Sequence, residues 1–263
     1  MWTDEDIKYI CENYESGKMS GIDLGKKYHV SKKRIYSLLR AQGVTVARKK
    51  RYRKHSLIET YFDEIDTQNK AYFLGFLFAD GCNFTNSGSI SMELSIHDID
   101  ILRAFKEEWG YSGDVTITNR EGKQYGLLRV HSKYMSQRLS DLGMVKAKSH
   151  VLKYPTYLNP FYQKHFIRGY FDGNGTINYC KTQNFYTFSI ICGTPAFIDS
   201  MKVEFEKLLC TKFTFGVARD GKCKKLNAYR KSFIHLIMKF LYEEAELYLS
   251  RKYNKFLEFE RWK

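Results

Sequence analysis

Apolar and polar residues alternate in two separate segments of this chain, and each segment is followed by the same series of patterns. Ile90, Met92 and Leu94 alternate with polar residues, which predicts a strand with one buried face, and Phe185–Ile191 matches it. A helix, a hairpin and a last helix are then predicted after each strand. They are helices 98–109 and 133–142 around a hairpin turned at 120–122, and helices 195–209 and 231–241 around one turned at 219–221.

Before each alternating strand stands a shared ten-residue pattern. The two copies are Tyr72-Phe-Leu-Gly-Phe-Leu-Phe-Ala-Asp-Gly81 and Phe166-Ile-Arg-Gly-Tyr-Phe-Asp-Gly-Asn-Gly175, and their first glycines lie 169−75 = 94 residues apart. A repeat of that length is about the size of a small domain. Each copy predicts a helix that ends at its Asp or Asn, with Gly81 and Gly175 in the left-handed conformation that stops a helix.

Small residues recur four apart within each predicted helix: Gly75 and Ala79, and likewise Gly169 and Gly173. Residues four apart share a helix face, so the two helices are expected to pack closely on these faces. Their C-terminal ends would then bring Asp80 and Asn174 side by side. A carboxylate there faces the negative end of the helix dipole, and a bound Mg²⁺ or other divalent cation would relieve this. The alternative is that Asp80 is only a turn former before Gly81.

The first 45 residues predict three short helices, of which the third begins after Ser31 and ends before Gly43. Ile22, Leu24 and Leu39 are among the residues expected to face inward. This layout is that of a helix-turn-helix DNA-binding domain, and the alternative is a three-helix bundle for protein contacts. Candidate DNA contacts on the third helix are Lys32, Lys33, Arg34, Tyr36, Ser37 and Arg40.

Charge strengthens the case for a polyanionic partner. The chain of 263 residues has a formal net charge of +14. Residues 1–55 hold 14 Lys and Arg against 6 Asp and Glu, a net of +8, and the remainder carries 14−8 = +6. Residues 46–55 are predicted to be a basic linker that follows phosphates or a minor groove, or else a flexible tether. Its candidate contacts are Arg48, Lys49, Lys50, Arg51, Arg53 and Lys54.

Outward positions of the predicted hairpins and strands are polar or basic, whereas inward positions are apolar. We expect the two faces together to contact DNA, although an ordinary solvated sheet face explains any single residue as well. The candidates are Thr116, Thr118, Arg120, Arg129 and His131 in the first half, and Thr187, Ser189, Lys212, Thr214, Lys225 and Asn227 in the second.

Cysteine usage and hydropathy restrict the location. The six cysteines form no Cys-x₂-Cys pair, so they are interpreted as reduced core residues rather than zinc ligands. The sequence has no apolar run of bilayer length, and its acidic N-terminus lacks a signal-peptide core. We therefore expect an intracellular protein of the cytoplasm.

The segments Phe73–Gly81 and Ile167–Gly175 resemble the paired motifs of single-chain LAGLIDADG homing endonucleases, and the resemblance covers residues 56–263. It implies an α+β fold of two pseudo-symmetric αββαββα halves, residues 56–150 and 151–263. Each half would lay a curved antiparallel sheet in the DNA major groove. It also implies a monomer, encoded in a mobile or phage element, that hydrolyses phosphodiesters of a long specific double-stranded target with Mg²⁺.

In that family the last acidic residue of each motif binds metal, which implicates Asp80 and Asn174, and a lysine at the hairpin end stabilises charge, which implicates Lys133 and Lys231. Asn174 departs from the pattern because an amide oxygen ligates Mg²⁺ without a negative charge. Asp172 is no simple substitute, because it lies two residues back and Phe78 occupies its place in the first motif. The open alternatives are slow cleavage, nicking of one strand, a non-cleaving DNA-binding regulator, or an RNA-binding splicing cofactor.

Overall fold

The computed structural model describes residues 2–16, 18–46, 54–145, 148, 151–180 and 185–260. The chain divides into two compact units, residues 1–54 and 55–263. Among the helices of the described ranges, none is long and apolar enough to cross a membrane.

The first unit contains helices α1 (Asp4–Glu15), α2 (Gly21–Lys27) and α3 (Lys32–Ala41). Each begins after a hydroxyl residue whose side chain accepts a backbone N–H of the first turn: Thr3, Ser20 or Ser31. The predicted helices are present, and Leu24 and Leu39 are buried as expected. Ile22 was expected inside and is 49% exposed, because Gly21, Leu24 and Gly25 form the buried face of the short α2.

The second unit repeats the order helix, two strands, helix, two strands, helix. The first half consists of α4 (Gln68–Asp80), β1 (Gly81–Phe84), β2 (Ser89–Ser95), α5 (Ile99–Glu108), β3 (Thr116–Arg120), β4 (Lys123–His131) and α6 (Lys133–Asp141). The second half consists of α7 (Pro160–Asn174), β5 (Gly175–Cys180), β6 (Phe185–Cys192), α8 (Pro195–Leu209), β7 (Gly216–Asp220), β8 (Cys223–Ala228) and α9 (Lys231–Tyr242). A further helix, α10 (Ser250–Glu260), follows.

Each half has one four-stranded antiparallel sheet, ordered β1-β2-β4-β3 and β5-β6-β8-β7. The register aligns the two halves residue by residue. Gly81 lies opposite Met92, which lies opposite Leu128, and Gly175 lies opposite Ile190, which lies opposite Leu226. These inward residues and the buried sides of the helices form one continuous core. The expected α+β fold with two pseudo-symmetric halves is therefore confirmed.

The core is centred on the crossing of α4 and α7, which pack backbone against backbone. A Cβ atom at Gly75 would lie 3.0 Å from the Tyr170 nitrogen and closer still to the Phe166 carbonyl. One at Gly169 would lie 2.9 Å from the Phe76 nitrogen. Only glycine allows this approach, so the predicted packing of the two helices on their small faces is correct.

The prediction that Gly81 and Gly175 adopt a left-handed conformation is wrong. Their φ angles are −74° and −101°, because the chain leaves each helix directly in the extended conformation of β1 or β5. Glycine is needed there for space instead. A Cβ at Gly81 would lie 2.7 Å from Leu77 Cδ2, and one at Gly175 would lie 2.6 Å from the Phe171 carbonyl oxygen.

Asp98 does not cap the helix that follows β2, contrary to the predicted start of a helix at residue 98. A 3₁₀ turn, Ile96–Asp98, precedes α5, and the Asp98 side chain makes no cap hydrogen bond. Its carboxylate instead accepts from Arg251 Nε at 3.1 Å, which joins the first half to α10.

Replacement of Gly75 by alanine tests the helix crossing. We expect Gly75→Ala to lower the free energy of unfolding by about 1–3 kcal/mol or more, because the new methyl group overpacks two backbones. Gly216→Ala is the matched control, since a Cβ there meets nothing nearer than 3.7 Å. Urea unfolding of both variants measures the difference, and equal small effects would contradict the close approach.

Candidate functional site

The motif helices end together, which places Asp80 at the joint of the two halves. A Cβ added at Gly173 would lie 2.3 Å from Ala79 Cβ and 3.1 Å from Asp80 Oδ2, both in α4. The Asp80 carboxylate thus lies against the residue that precedes Asn174. Asn174 Nδ2 donates to the Tyr170 hydroxyl at 3.3 Å, within its own helix. The expected convergence of the two helix ends is present in the structure.

Asp80 is a desolvated carboxylate. Burial raises its pKa above the ordinary value, and the positive charges of Lys148, Lys252 and Arg251 oppose that shift. Among the residues that the structure describes, none forms a hydrogen bond or an ion pair with this carboxylate. A half-buried carboxylate to which none of the described residues donates is suited to bind a cation.

Two lysines that the sequence analysis missed border this carboxylate. Lys148 Nζ donates to the Gly81 carbonyl at the end of α4, and Lys252 Nζ donates to the Gly175 carbonyl at 2.6 Å and to that of Phe171 at the end of α7. A cation is favourable at a helix C-terminus. Burial lowers the pKa of both lysines, that of Lys252 to about 8.

The two lysines carry no common sequence signal. They stand 148−81 = 67 and 252−175 = 77 residues after the motif glycines, so a repeat aligned without gaps does not pair them. Their shared feature is a tertiary contact with a helix-end carbonyl. Neither belongs to a motif or to a hairpin.

Lys133 and Lys231 were expected at the site, and the structure places them elsewhere. Lys133 comes two residues after His131, which lies opposite Ser89 at the far end of β1 and β2. The backbone of Lys133 packs over Gly88 in the turn at that end. Leu128 and Leu226 lie in the same cross-strand rows as the motif glycines. Each lysine follows its leucine by five residues. With a strand rise of about 3.3 Å per residue, both lie on the order of 10 Å or more from those rows.

Asp172 points away from Asp80 into the protein interior. It is fully buried and accepts hydrogen bonds from Tyr72 Oη at 2.7 Å, from Tyr242 Oη and from the Leu249 backbone nitrogen at 2.8 Å. Burial raises the pKa of its carboxyl, while Lys252 and these hydrogen bonds oppose the shift. With its lone pairs engaged by protein donors, Asp172 is not placed as a replacement for Asn174.

The outward candidates of the first half do share one face of their sheet. Cys82, Ser91 and Arg129 lie opposite one another on neighbouring strands and form one row of that face. Thr116 belongs to the next row of the same face, and the row that contains Gly81 lies between these two. The predicted residues on this face are Thr116, Thr118, Arg120, Arg129 and His131. Arg120 is ion-paired with Glu93, whereas Arg129 and His131 are exposed.

In the second half, Thr187, Ser189, Lys225 and Asn227 lie on the corresponding face. Asn227 is only 7% exposed, which leaves little of it available to a ligand. Ser189 Oγ is hydrogen-bonded to Thr176 Oγ1 at 2.7 Å, and sequence reasoning did not select Thr176. Lys212 and Thr214 are exposed but lie before β7, which begins at Gly216, so they are not on the sheet.

The candidates of the first unit are mostly exposed on α3. Tyr36 is the exception to the expected solvent-facing set, because its ring packs against Gly21 and against Tyr14 at a centroid distance of 6.1 Å. The exposed residues are Lys32, Lys33, Arg34, Ser37 and Arg40, and Lys54 is exposed as well. Arg48, Lys49, Lys50, Arg51 and Arg53 lie outside the described residues.

The donor set at the joint fits one divalent cation only if phosphate oxygens complete it. Over the described parts of the chain, no three His, Cys, Asp or Glu side chains are arranged to hold a metal ion. Asp80 offers a carboxylate and Asn174 an amide oxygen. Mg²⁺ is commonly held by one or two carboxylates together with phosphate oxygens and water. A second carboxylate for a second metal is missing from this pair.

Two αββαββα halves joined through paired glycine-containing helices define the fold class of single-chain LAGLIDADG homing endonucleases, and this chain has that fold. A lysine-to-alanine variant of I-SmaMI is 12% identical, with a TM-score of 0.50 over 73% of this chain and 89% of that one. I-AabMI bound to uncleaved DNA is 12% identical, with a TM-score of 0.47 over 72% and 87%.

Full-length WhiA from Thermatoga maritima is also similar in structure. It is 13% identical, with a TM-score of 0.48 over 77% of this chain and 64% of that chain. No family model and no curated protein sequence matches the chain. At these identities the likeness establishes the fold alone.

The buried ammonium of Lys252 predicts a pH-dependent stability. Its pKa is lowered from 10.5 to about 8, so below pH 8 it is charged in both states and its burial cost is complete. Between pH 8 and 10.5 the unfolded chain binds more protons than the folded chain, so stability rises with pH. We expect the difference in unfolding free energy between wild type and Lys252→Met to shift by roughly 3 kcal/mol in favour of wild type. Urea unfolding across that window measures it, and a constant difference would contradict the burial.

Proposed function

We propose that the chain is a divalent-metal-dependent endonuclease of the homing type that hydrolyses phosphodiesters in a specific double-stranded DNA. The observation that carries this proposal is Asp80, a desolvated carboxylate at the joint of two similar halves with which no described residue forms a hydrogen bond or an ion pair. Lys148 and Lys252 come from outside the motif helices, and each donates to a carbonyl at the end of one of them, near Asp80. A cation and a phosphate are the ligands that such a set of charges accommodates together.

Asp80, with the amide oxygen of Asn174, would hold Mg²⁺ or a similar ion between the halves. When bound, the metal would neutralise charge on the scissile phosphate and help to activate a water. The protein itself supplies fixed positive charge. Lys148 and Lys252 are held by helix-end carbonyls, so they need little reorganisation to stabilise charge that develops on a phosphate. Lys252 is only 3% exposed, so it would act on a phosphate through its charge and not by direct contact.

The two sheet faces would bind the DNA on both sides of this joint. Arg129 and His131 are exposed on the face of the first half, and Lys225 lies on that of the second half. Arginine and lysine reach base edges and phosphates in a groove, while hydroxyl residues contact either. The formal net charge of +14 supports a polyanionic partner for the whole chain.

A non-cleaving DNA-binding regulator is the second candidate, and Asn174 favours it. An amide in place of a carboxylate leaves the joint with one acidic side chain against two lysines. Such a site attracts phosphate but binds metal more weakly. Incubation with a random-target DNA library and Mg²⁺, with sequencing of bound and cut molecules, separates the candidates. Sites that are bound but never cut would select the regulator.

Exchange of the acidic and amide residues tests the cleavage site directly. We expect Asp80→Asn to abolish cleavage and Asn174→Asp to increase its rate by roughly tenfold or more, because the second carboxylate strengthens metal binding. Initial rates on the selected target with Mg²⁺ provide the measurement. Asp114→Asn is the control, since that side chain is 96% exposed. Unchanged rates in both site variants would remove these residues from the mechanism.

The charged start of α3 is expected to contribute to DNA binding. Replacing Lys32, Lys33 and Arg34 together by alanine should weaken binding and reduce the slope of log K against log salt by up to about 3, because each phosphate contact contributes about 0.9. The matched control replaces Lys8, Lys18 and Lys26, which are exposed in the same unit. Titrations at several salt concentrations measure the slope. If both triple variants behave alike, the effect is one of total charge.

A further inference from the structure

The buried carboxylate of Asp172 has no role in the proposed site, and its counterpart in the first half is Phe78. Three donors converge on it: Tyr72 from α4, Tyr242 from α9 and the backbone nitrogen of Leu249 just before α10. A buried carboxylate is expensive unless it is fully hydrogen-bonded. Its presence in the second motif alone points to a task that the first half does not share.

That task concerns the segment that leads into α10. Leu249 is the acceptor residue for the first helical bonds of α10, since Lys252 N and Tyr253 N donate to its carbonyl. Asp172 accepts from the backbone nitrogen of that same residue, and it therefore fixes the start of the helix. Arg168, one turn earlier on α7, donates Nε to the Leu247 carbonyl at 2.9 Å, which holds the preceding residues as well.

Lys252 is the residue that this arrangement fixes. It lies three positions after Leu249, and residues three apart share a helix face. Lys252 is only 3% exposed, and its ammonium donates to the carbonyls of Phe171 and Gly175, which lie before and after Asp172 in the chain. The first half has no equivalent anchor at the motif position, because Phe78 offers no acceptor.

We propose that Asp172 is a positioning residue, which holds the start of α10 so that Lys252 remains at the end of α7. The inference rests on the proposed function, because the lysine is taken to act on a DNA phosphate there. It goes beyond that function in assigning unequal machinery to the two DNA strands. Loss of Asp172 should then slow cleavage of one strand more than the other.

Chemical labelling tests the positioning without any need for cleavage. In the full-length protein, acetylation of Lys252 should be at least roughly tenfold slower than that of Lys255, which is exposed on the same helix, because only the former is buried. Asp172→Asn should reduce this ratio to below about threefold. Peptide mass spectrometry measures both rates. A ratio that stays at the wild-type value would overturn the proposal, whether or not the chain cleaves DNA.

Strand-resolved kinetics test the consequence. With each strand of a selected target labelled separately, Asp172→Asn should reduce the cleavage rate of one strand by roughly tenfold, while the other strand and the affinity for DNA change less than about threefold. Lys252→Met should slow the same strand. Equal slowing of both strands would overturn the proposal, because a general loss of structure has no strand preference.

Two further variants keep the test decisive. Tyr242→Phe removes one hydrogen bond to Asp172 and should give a smaller shift in the same direction, which covers the case that Asp172→Asn does not fold. Tyr61→Phe removes a similar tyrosine–carboxylate bond, Tyr61 Oη to Glu108 Oε2 at 2.8 Å, in the first half. It should lower stability without changing the labelling of Lys252 or the ratio of strand rates. A shift of that ratio in Tyr61→Phe would overturn the proposal.

Discussion

The contact of two helix backbones at Gly75 and Gly169 governs the rest of the second unit. A side chain at either glycine would occupy the space of the other helix's backbone. The two helix axes are therefore as close together as their peptide groups allow. This proximity also brings the ends of both helices together. Because β1 and β5 continue from those ends without a turn, the same contact fixes the relative placement of the two sheets. The position of Asp80 between them is a consequence of backbone packing.

Bringing two helix C-termini together concentrates carbonyl oxygens and their partial negative charge. Adding the Asp80 carboxylate makes the joint unfavourable unless cations are supplied. Lys148 and Lys252 supply them from outside the motifs, each on a helix-end carbonyl. The charges are nevertheless unequal in the two halves. Asp80 faces the joint in the first half, whereas the second half has Asn174 at the joint and Asp172 behind it in the interior. Asp80 and Asp172 thus stand against Lys148 and Lys252 in equal number, but the charge of Asp172 acts on Lys252 more strongly than that of Asp80 does.

Much of the fold was predictable because it is encoded locally. Alternation around Met92 identifies a strand, and small residues four apart identify the helix crossing. The errors arise where tertiary contacts decide. Gly81 signals a need for space, which a sequence cannot distinguish from a need for positive φ. Lys133 and Lys231 occupy symmetric positions, yet the strand register carries them away from the joint. Lys148 and Lys252 act through contacts with residues about seventy positions away, and unequal spacing conceals their correspondence.

The strand register also shows at which equivalent positions the two halves have similar residues and at which they differ. Residues facing the core correspond closely, as Met92 does to Ile190 and Leu128 to Leu226, because both sheets cover similar helices. On the outer faces, Arg129 occupies the place of Asn227. Packing constrains the first set in volume and polarity, whereas an exposed outer residue such as Arg129 is less constrained. The two equivalent sheets therefore carry different hydrogen-bonding groups on their outer faces. A duplex bound across both halves would therefore have unlike half-sites, even though the backbone that binds it is nearly symmetric.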